Sequence, residues 1–213
     1  MGGYIKLKKY GIMGGTFDPI HYGHLVIANE VLNLFDLDRI VFVPTGTPPH
    51  KSIKGLTSSY HRYMMTQFAT MTHPFFDVSD FEIRKDEISY TIDTLQHFYD
   101  SDPDSKFYFI TGTDAVLDLA TWKDPEAMLK IFKFIAVNRP GYIIENLDVK
   151  LRDLADKYNG EIYAVNAPQL QISSTDIRNR IASGKPIKYL LPETVEQYIL
   201  KNKLYRSVND ERK

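Results

Sequence analysis

Apolar runs and amphipathic stretches alternate along the 213 residues of the chain. Short runs dense in apolar residues predict strands, whereas apolar residues spaced three or four positions apart predict helices. The predicted strands cover residues 9–13, 39–43, 76–83, 106–111, 134–137 and 161–165. The predicted helices cover residues 21–35, 58–70, 91–99, 114–120, 125–131, 147–158, 174–182 and 192–202.

Strands that are separated by helices predict βαβ units and therefore an α/β fold. We expect a Rossmann-like, open and mainly parallel sheet with helices on both faces and a small helical C-terminal extension. One domain should span residues 1–213, with a core at about 9–184, a helical part at about 185–205 and a flexible tail at 206–213. Ligands bind such sheets beyond the carboxyl ends of the strands, so functional residues should directly follow the apolar runs.

The composition narrows the chemistry that the chain can carry. The absence of cysteine excludes disulfides, thiolate metal sites and cysteine nucleophiles. No apolar run approaches the roughly 18 residues that span a bilayer, and the N-terminus has no apolar signal segment, so we expect a cytoplasmic protein that does not enter a membrane. A net charge of −1 argues against a broad nucleic-acid-binding face. Small anions need only a few cations and N–H groups in one place, so they stay open as ligands.

The segment GGTFDPIHYGH, residues 14–24, follows the first predicted strand and opens the first predicted helix. Its two glycines let the backbone approach a ligand closely, and the helix start adds partial positive charge. His21 and His24 lie three positions apart, so both can face the same anion. The segment therefore predicts a phosphate site. The alternatives are an ordinary turn with surface histidines, or a zinc pair that lacks a third ligand nearby.

A second segment, ISSTDIR at residues 172–178, surrounds the start of a later helix. Its hydroxyls and Asp176 are also what a plain helix N-cap requires, so this segment alone decides little. Arg178, on the first turn, adds a guanidinium that can hold phosphate oxygens.

Together the two segments resemble the signatures of the HxGH nucleotidyltransferase superfamily. The resemblance implies that the backbone of the first segment touches the nucleotide and that the two histidines hold ATP phosphates. The implied ATP-binding residues are Gly14, Gly15, Thr16, Phe17, His21, His24, Gly112, Asp114, Ile172, Ser173, Ser174, Thr175 and Arg178.

The middle of the chain carries four further patterns: PPHK at 48–51, SYTIDTL at 89–95, GTD at 112–114 and RPG at 139–141. PPHK is a near miss for a Walker A loop, and a solvated loop is the alternative. Trp122, the single tryptophan, either packs in the core or offers a flat surface to an aromatic ligand.

These patterns make residues 9–205 similar to the bacterial nicotinate-nucleotide adenylyltransferases. The resemblance implies adenylyl transfer from ATP to nicotinate mononucleotide, with pyrophosphate released, in NAD biosynthesis. It implies that Trp122 stacks on the pyridine, that amides near Thr91 and just after Trp122 receive the carboxylate, and that Asp114 contacts a ribose. Thr113 departs from the Ala or Gly usual there. The implied pyridine-nucleotide residues are Thr16, Lys51, Thr91, Asp114, Trp122, Lys123 and Arg139, and the implied catalytic residues are His21, His24, Arg178 and Lys51.

The implied reaction needs no general base, because the nucleophile is a phosphate monoester and is already an anion. We expect Mg²⁺ to enter with ATP rather than in a protein cage. Three alternatives stay open: transfer to nicotinamide mononucleotide, transfer to another phosphomonoester such as phosphopantetheine, and a nucleotide sensor without catalysis. The residues also leave a homodimer open.

Overall fold

The computed structural model describes residues 7–47, 55–85, 87–138, 145–168 and 170–206. Six strands pair in parallel within one sheet. They are β1 (Lys9–Gly15), β2 (Arg39–Pro44), β3 (Phe76–Val78), β4 (Lys106–Gly112), β5 (Lys133–Val137) and β6 (Ile162–Val165). The helices are α1 (Tyr22–Leu34), α2 (Ser59–Thr70), α3 (Thr91–Ser101), α4 (Thr113–Leu117), α5 (Pro125–Ile131), α6 (Leu147–Lys157), α7 (Ser174–Ala182) and α8 (Glu193–Lys201).

The strand order across the sheet is β3-β2-β1-β4-β5-β6. All strands stay parallel, but the sequence order of neighbouring strands reverses between β1 and β4. A parallel order of this kind leaves a crevice where the two neighbouring connections run to opposite faces of the sheet. The predicted Rossmann-like fold is confirmed, and the crevice lies at the carboxyl ends of β1 and β4.

Alternate residues of each central strand enter two separate hydrophobic cores. In β1, Ile12 packs into one core and Met13 into the other. In β4, Phe109 and Ile110 divide in the same way. Since successive side chains of a strand point to opposite faces, helices must cover both sides. α1, α2, α7 and α8 bury side chains in one core, and α3, α4, α5 and α6 bury side chains in the other.

The third predicted strand is shorter than expected. It ends at Val78, and residues 81–84 form a turn instead of continuing the strand to residue 83. The hydroxyl of Ser79 accepts a hydrogen bond from the Phe81 N–H at 3.2 Å, and the Arg84 N–H donates to the Asp80 carbonyl at 3.0 Å. Short polar side chains thus compete with the strand ladder and close the turn.

The expected helix at 114–120 is divided in two. It consists of α4 followed by a 3₁₀ turn at Leu119–Thr121. The N–H of Thr121 bonds three residues back to the Asp118 carbonyl at 2.8 Å, which tightens the backbone just before Trp122.

The C-terminal helical part packs into the same hydrophobic core as α1 and α2 through Val195 and Ile199 of α8. Beyond α8, the Tyr205 hydroxyl donates to Oδ1 of Asp18 at 2.6 Å. Burial next to this carboxylate raises the pKa of Tyr205, so the phenol keeps its proton. The last part of the expected tail, residues 207–213, lies outside the described residues.

Within the described ranges, no helix combines the length and apolar character that crossing a bilayer requires.

Tyr205→Phe is expected to lower the free energy of unfolding by about 1–3 kcal/mol, because a buried carboxylate loses a donor. Urea unfolding measures this change. Tyr189→Phe is the matched control, since Tyr189 is 82% exposed. An equal effect of the two substitutions would show that the Asp18–Tyr205 contact does not stabilise the fold.

Candidate active site

A cavity of about 1240 Å³ opens at the carboxyl ends of β1 and β4. Gly14 and Gly15 at the end of β1 line it, and so does Gly112 at the end of β4. Ligand pockets usually measure roughly 300–1,000 Å³. This cavity is therefore larger than most ligand pockets.

The first motif bends at Phe17, whose backbone has a left-handed φ of 48°. The Phe17 ring is buried, and it packs edge-on against the His24 ring with 5.1 Å between centroids. A Cβ on Gly15 would lie 2.8 Å from the Phe17 ring, so only glycine lets the turn close in this way. The turn therefore fixes the position of the His24 ring through its contact with the Phe17 ring.

The two histidines stack on each other with 3.8 Å between ring centroids. His21 is the N-cap of α1, and its N–H donates to Nδ1 of His24 at 3.2 Å. A neutral imidazole has one donor and one acceptor nitrogen. Because Nδ1 of His24 accepts, the proton of the neutral ring is on Nε2, and Nε2 is the donor nitrogen.

His21 is 6% exposed, and burial lowers its pKa to about 4. Its ring is therefore neutral at pH 7. Nδ1 of His21 is buried without a hydrogen-bond partner among the described residues. The His21 side chain as a whole lines the cavity, whereas this nitrogen is closed off from solvent.

The start of α7 contacts the first motif directly. Arg178 was expected on the first turn of α7, but it lies one position beyond that turn. Its Nη1 donates to the Asp18 carbonyl at 2.7 Å. The hydroxyl of Ser174 donates to the Pro19 carbonyl at 2.8 Å. Ser173 is the N-cap, and its hydroxyl accepts from the Asp176 N–H at 3.1 Å. The two predicted anion sites therefore face one cavity.

The opposite wall of the cavity is formed by the start of α3 and by Trp122. The Trp122 indole is half-buried and packs edge-on against Phe109, with 6.1 Å between centroids. Lys123 lies 4.5 Å above the Tyr90 ring and 3.5 Å from the Asp93 carboxylate. Trp122 thus packs on the core and also lines the cavity.

Most of the site residues expected from the sequence line this single cavity. They are Gly14, Gly15, Thr16, Phe17, His21, His24, Thr91, Gly112, Trp122, Lys123, Ile172, Ser173, Ser174, Thr175 and Arg178. Asp114 is exposed at the start of α4 and does not belong to the lining. Lys51 and Arg139 lie outside the described residues.

Comparison with known proteins agrees with this geometry. Residues 12–180 match the model of the cytidylyltransferase-like family. A protein from Thermoanaerobacter sp. named "Probable nicotinate-nucleotide adenylyltransferase" is 52% identical over 93% of this chain and 94% of its own. The chain belongs to the nicotinate-nucleotide adenylyltransferase family.

Two further relatives carry the same family name. A protein of the same name from Moorella thermoacetica is 48% identical over 93% of this chain and 92% of its own. The solved Plasmodium falciparum nicotinic acid mononucleotide adenylyltransferase, complexed with NaAD, is 27% identical with a TM-score of 0.76. That alignment covers 93% of this chain and 97% of the other. The predicted family and the nucleotidyltransferase class are thus confirmed.

Thr113, the departure from the family pattern, is buried and does not itself line the cavity. Its hydroxyl donates to Oδ1 of Asn138 at 3.0 Å, and Nδ2 of Asn138 donates to Oδ1 of Asn166 at 2.8 Å. Asn138 lines the cavity. A hydrogen bond to Asn138 thus connects Thr113 to the cavity lining.

Three buried polar side chains beside the cavity were not among the site residues expected from the sequence. Asp18 accepts from the Thr57 N–H at 3.4 Å in addition to Tyr205, and Arg62 and Glu82 are 1% and 7% exposed. Arg62 lies within a predicted helix and Glu82 within a predicted strand. Neither position carries a local pattern that distinguishes it from a surface charge.

The described residues contain no group of three or more His, Asp and Glu side chains that could hold a metal ion. The zinc alternative for the histidine pair therefore finds no third ligand in this part of the chain.

The buried His21 makes stability depend on pH. Its folded pKa of about 4 lies below the unfolded value of 6.5. Between these values the unfolded chain binds the proton more readily, so stability is lost as the pH falls from 6.5 towards 4. Between pH 7 and pH 4.5, the free energy of unfolding should therefore fall by about 2 kcal/mol less in His21→Asn than in the wild type.

Urea unfolding at the two pH values, without nucleotide, measures this difference. The other titrating groups are shared by the two proteins and cancel in the comparison. The same pH dependence in both would show that His21 is already protonated in the folded chain.

Proposed function

We propose that the chain transfers the adenylyl group of ATP to nicotinate mononucleotide, which forms nicotinate adenine dinucleotide and pyrophosphate. The observation that carries this proposal is the convergence of His21, His24 and Arg178 on one cavity that also contains Trp122. Membership of the nicotinate-nucleotide adenylyltransferase family supports it, and so does the likeness to a relative complexed with NaAD.

The triphosphate of ATP would lie between the starts of α1 and α7. Both helix starts carry partial positive charge. The His24 Nε2–H is a preorganised donor because the ring is fixed by Phe17 and by the His21 N–H. Arg178 supplies a permanent cation next to it. Lys51, outside the described residues, is proposed as a further cation at this end.

In the proposed step, an oxygen of the nicotinate mononucleotide phosphate attacks the α-phosphorus of ATP. A new P–O bond forms while the bond from the α-phosphorus to the bridging oxygen breaks, and its electron pair leaves with pyrophosphate. The phosphate is already an anion, so no group has to remove a proton from it. Catalysis then consists of in-line positioning and of stabilising charge on the leaving group.

The proposal assigns the divalent cation to the nucleotide, because no group of three or more His, Asp or Glu side chains among the described residues could hold it. Asp18, the carboxylate within the first motif, already accepts from the Tyr205 hydroxyl and from the Thr57 N–H. We therefore propose that Mg²⁺ enters with ATP, where it would neutralise charge on the phosphate oxygens.

The pyridine ring would lie against Trp122, with its carboxylate at the start of α3. Thr91 is the first residue of α3, whose N-cap Tyr90 makes no side-chain cap hydrogen bond. The N–H groups of such a helix start favour an anion. Lys123 adds a positive charge at the same helix end. A neutral carboxamide would gain less from these groups, so nicotinate should be preferred over nicotinamide.

The proposal is tested by measuring pyrophosphate release from ATP with each pyridine mononucleotide. We expect kcat/KM for nicotinate mononucleotide to exceed that for nicotinamide mononucleotide by about 10-fold or more. Reversed preference would move the assignment to nicotinamide. Tight ATP binding without release for any acceptor, phosphopantetheine included, would indicate a nucleotide sensor instead.

His24→Ala tests the phosphate side of the same assay. Loss of one preorganised donor should lower kcat by about 100-fold or more. His73→Ala is the matched control, because His73 stacks on Phe76 and does not line the cavity. Wild-type turnover of His24→Ala would remove His24 from the mechanism.

Trp122→Ala tests the acceptor side. Loss of the stacking surface should raise the KM for nicotinate mononucleotide by about 10-fold or more while the KM for ATP changes little. Trp122→Phe, which keeps an aromatic face, should show a smaller effect. If the KM for ATP rises as much, Trp122 contributes to the fold and does not select the acceptor.

A further inference from the structure

Glu82 is a buried carboxylate in the turn after β3, and it lines the cavity wall next to the start of α3. Both of its oxygens accept hydrogen bonds from the protein. Oε1 accepts from the Thr94 hydroxyl at 2.7 Å, and Oε2 accepts from the Gly46 N–H at 3.2 Å. The carboxylate is thus engaged with protein donors, which suits a structural link better than a proton acceptor for substrate.

The two donors belong to different segments of the chain beside the proposed acceptor pocket. Gly46 follows β2, the neighbour of the strand that carries the phosphate motif, and Thr94 lies in the first turn of α3. The backbone joins the same segments, since the Ser89 N–H donates to the Thr47 carbonyl at 3.0 Å. Glu82 therefore holds the start of α3 in register with the end of β2.

Gly46 hydrogen-bonds to Glu82 and to a buried arginine. Arg62 donates through Nη2 to the Gly46 carbonyl at 3.0 Å, while the N–H of the same residue donates to Glu82. Arg62 also donates to the Thr16 carbonyl at 2.8 Å and to the Thr57 carbonyl at 3.0 Å. These three bonds of Arg62 do not involve Glu82, so they hold Gly46 and the phosphate motif in place independently of it.

The approach of the two segments is close enough to require glycine. A Cβ on Gly46 would overlap the Glu82 carbonyl oxygen. Burial raises the pKa of Glu82, and the hydrogen bonds from Thr94 and Gly46 oppose that shift. Burying a carboxylate lowers the stability of the fold. A role in fixing the geometry of the segments that it joins accounts for its presence here.

We propose that Glu82 is a positioning residue for acceptor recognition, because its hydrogen bonds to Gly46 and Thr94 orient the first turn of α3 towards the pyridine carboxylate. This inference rests on the proposed function, which assigns that carboxylate to the start of α3. Glu82 is not proposed to touch the substrate. Its effect should therefore reach the acceptor through α3 and leave the ATP side largely unchanged.

Glu82→Gln tests this inference in the full-length enzyme, with ATP and nicotinate mononucleotide varied in turn. The amide cannot accept both hydrogen bonds, so the first turn of α3 loses its fixed position. We expect the KM for nicotinate mononucleotide to rise by about 10-fold or more, as for loss of a charge-assisted hydrogen bond. The KM for ATP should stay within about twofold of the wild type, since those contacts are made by α1 and α7. Glu87→Gln is the matched control, because Glu87 is exposed and nearby.

A second pair of variants separates the hydrogen bond from packing and does not depend on how Glu82→Gln folds. Thr94→Val keeps the branched shape but loses the hydroxyl, and it should raise the KM for nicotinate mononucleotide in the same direction. Thr94→Ser keeps the hydroxyl and loses a methyl group, so it should recover most of the affinity that Thr94→Val loses.

Three results would overturn the inference. They are an unchanged acceptor KM in Glu82→Gln, an equal rise of both KM values, and a larger effect of Thr94→Ser than of Thr94→Val. If the wild type turns over nicotinate mononucleotide normally and one of these results is obtained, only the inference is overturned and the proposed function stands. Absence of wild-type turnover with nicotinate mononucleotide overturns the proposed function and this inference with it.

Discussion

The hydrogen bond from Arg178 to the Asp18 carbonyl joins residues that are 160 positions apart, and the cavity depends on it. Together with the bond from Ser174 to Pro19, it holds the start of α7 against the loop that precedes α1. The sheet makes this contact available, because the strand order reverses between β1 and β4 and leaves a crevice there. Without the contact, the two helix starts would be separate weak anion sites.

Buried charges fix the loops around the crevice. The Arg62 guanidinium donates to carbonyls of three separate segments, at Thr16, Gly46 and Thr57. Burial lowers the pKa of Arg62, and Asp18 and Glu82 are among the charges that oppose this shift. Burying an ion costs free energy unless it is fully hydrogen-bonded. Here the cost is offset by donors and carbonyls that the loops must satisfy in any case, and the result is a preorganised site.

The histidine pair illustrates how the site avoids charge repulsion. Two protonated imidazoles at the observed 3.8 Å centroid separation would repel each other. Burial keeps His21 neutral, and the hydrogen bond from its own N–H sets the proton of His24 on Nε2. A neutral pair can therefore offer the His24 Nε2–H to a bound phosphate without repulsion between the two rings.

Local patterns in the sequence determined the elements and the two anion-binding segments. Short apolar runs predicted all six strands, and the glycines, histidines and hydroxyls that are proposed to contact phosphate are contiguous at strand ends and helix starts. Contiguous features can be predicted because periodicity and helix capping act over a few residues. The same local reasoning extended β3 to residue 83, where Ser79 and Asp80 instead close a turn around the buried Glu82. The roles of Lys51 and Arg139 stay predictions.

Tertiary structure alone decided which residues meet. The sequence around each of Arg62, Glu82 and Tyr205 does not distinguish that residue from its neighbours. The reason is that the partners of these residues lie in other segments of the chain. Asp114 follows a strand as the sequence suggested, yet its side chain is exposed at the start of α4 and does not line the cavity. A sequence pattern fixes where along the chain a side chain occurs, whereas its burial and its partners follow from contacts between distant segments.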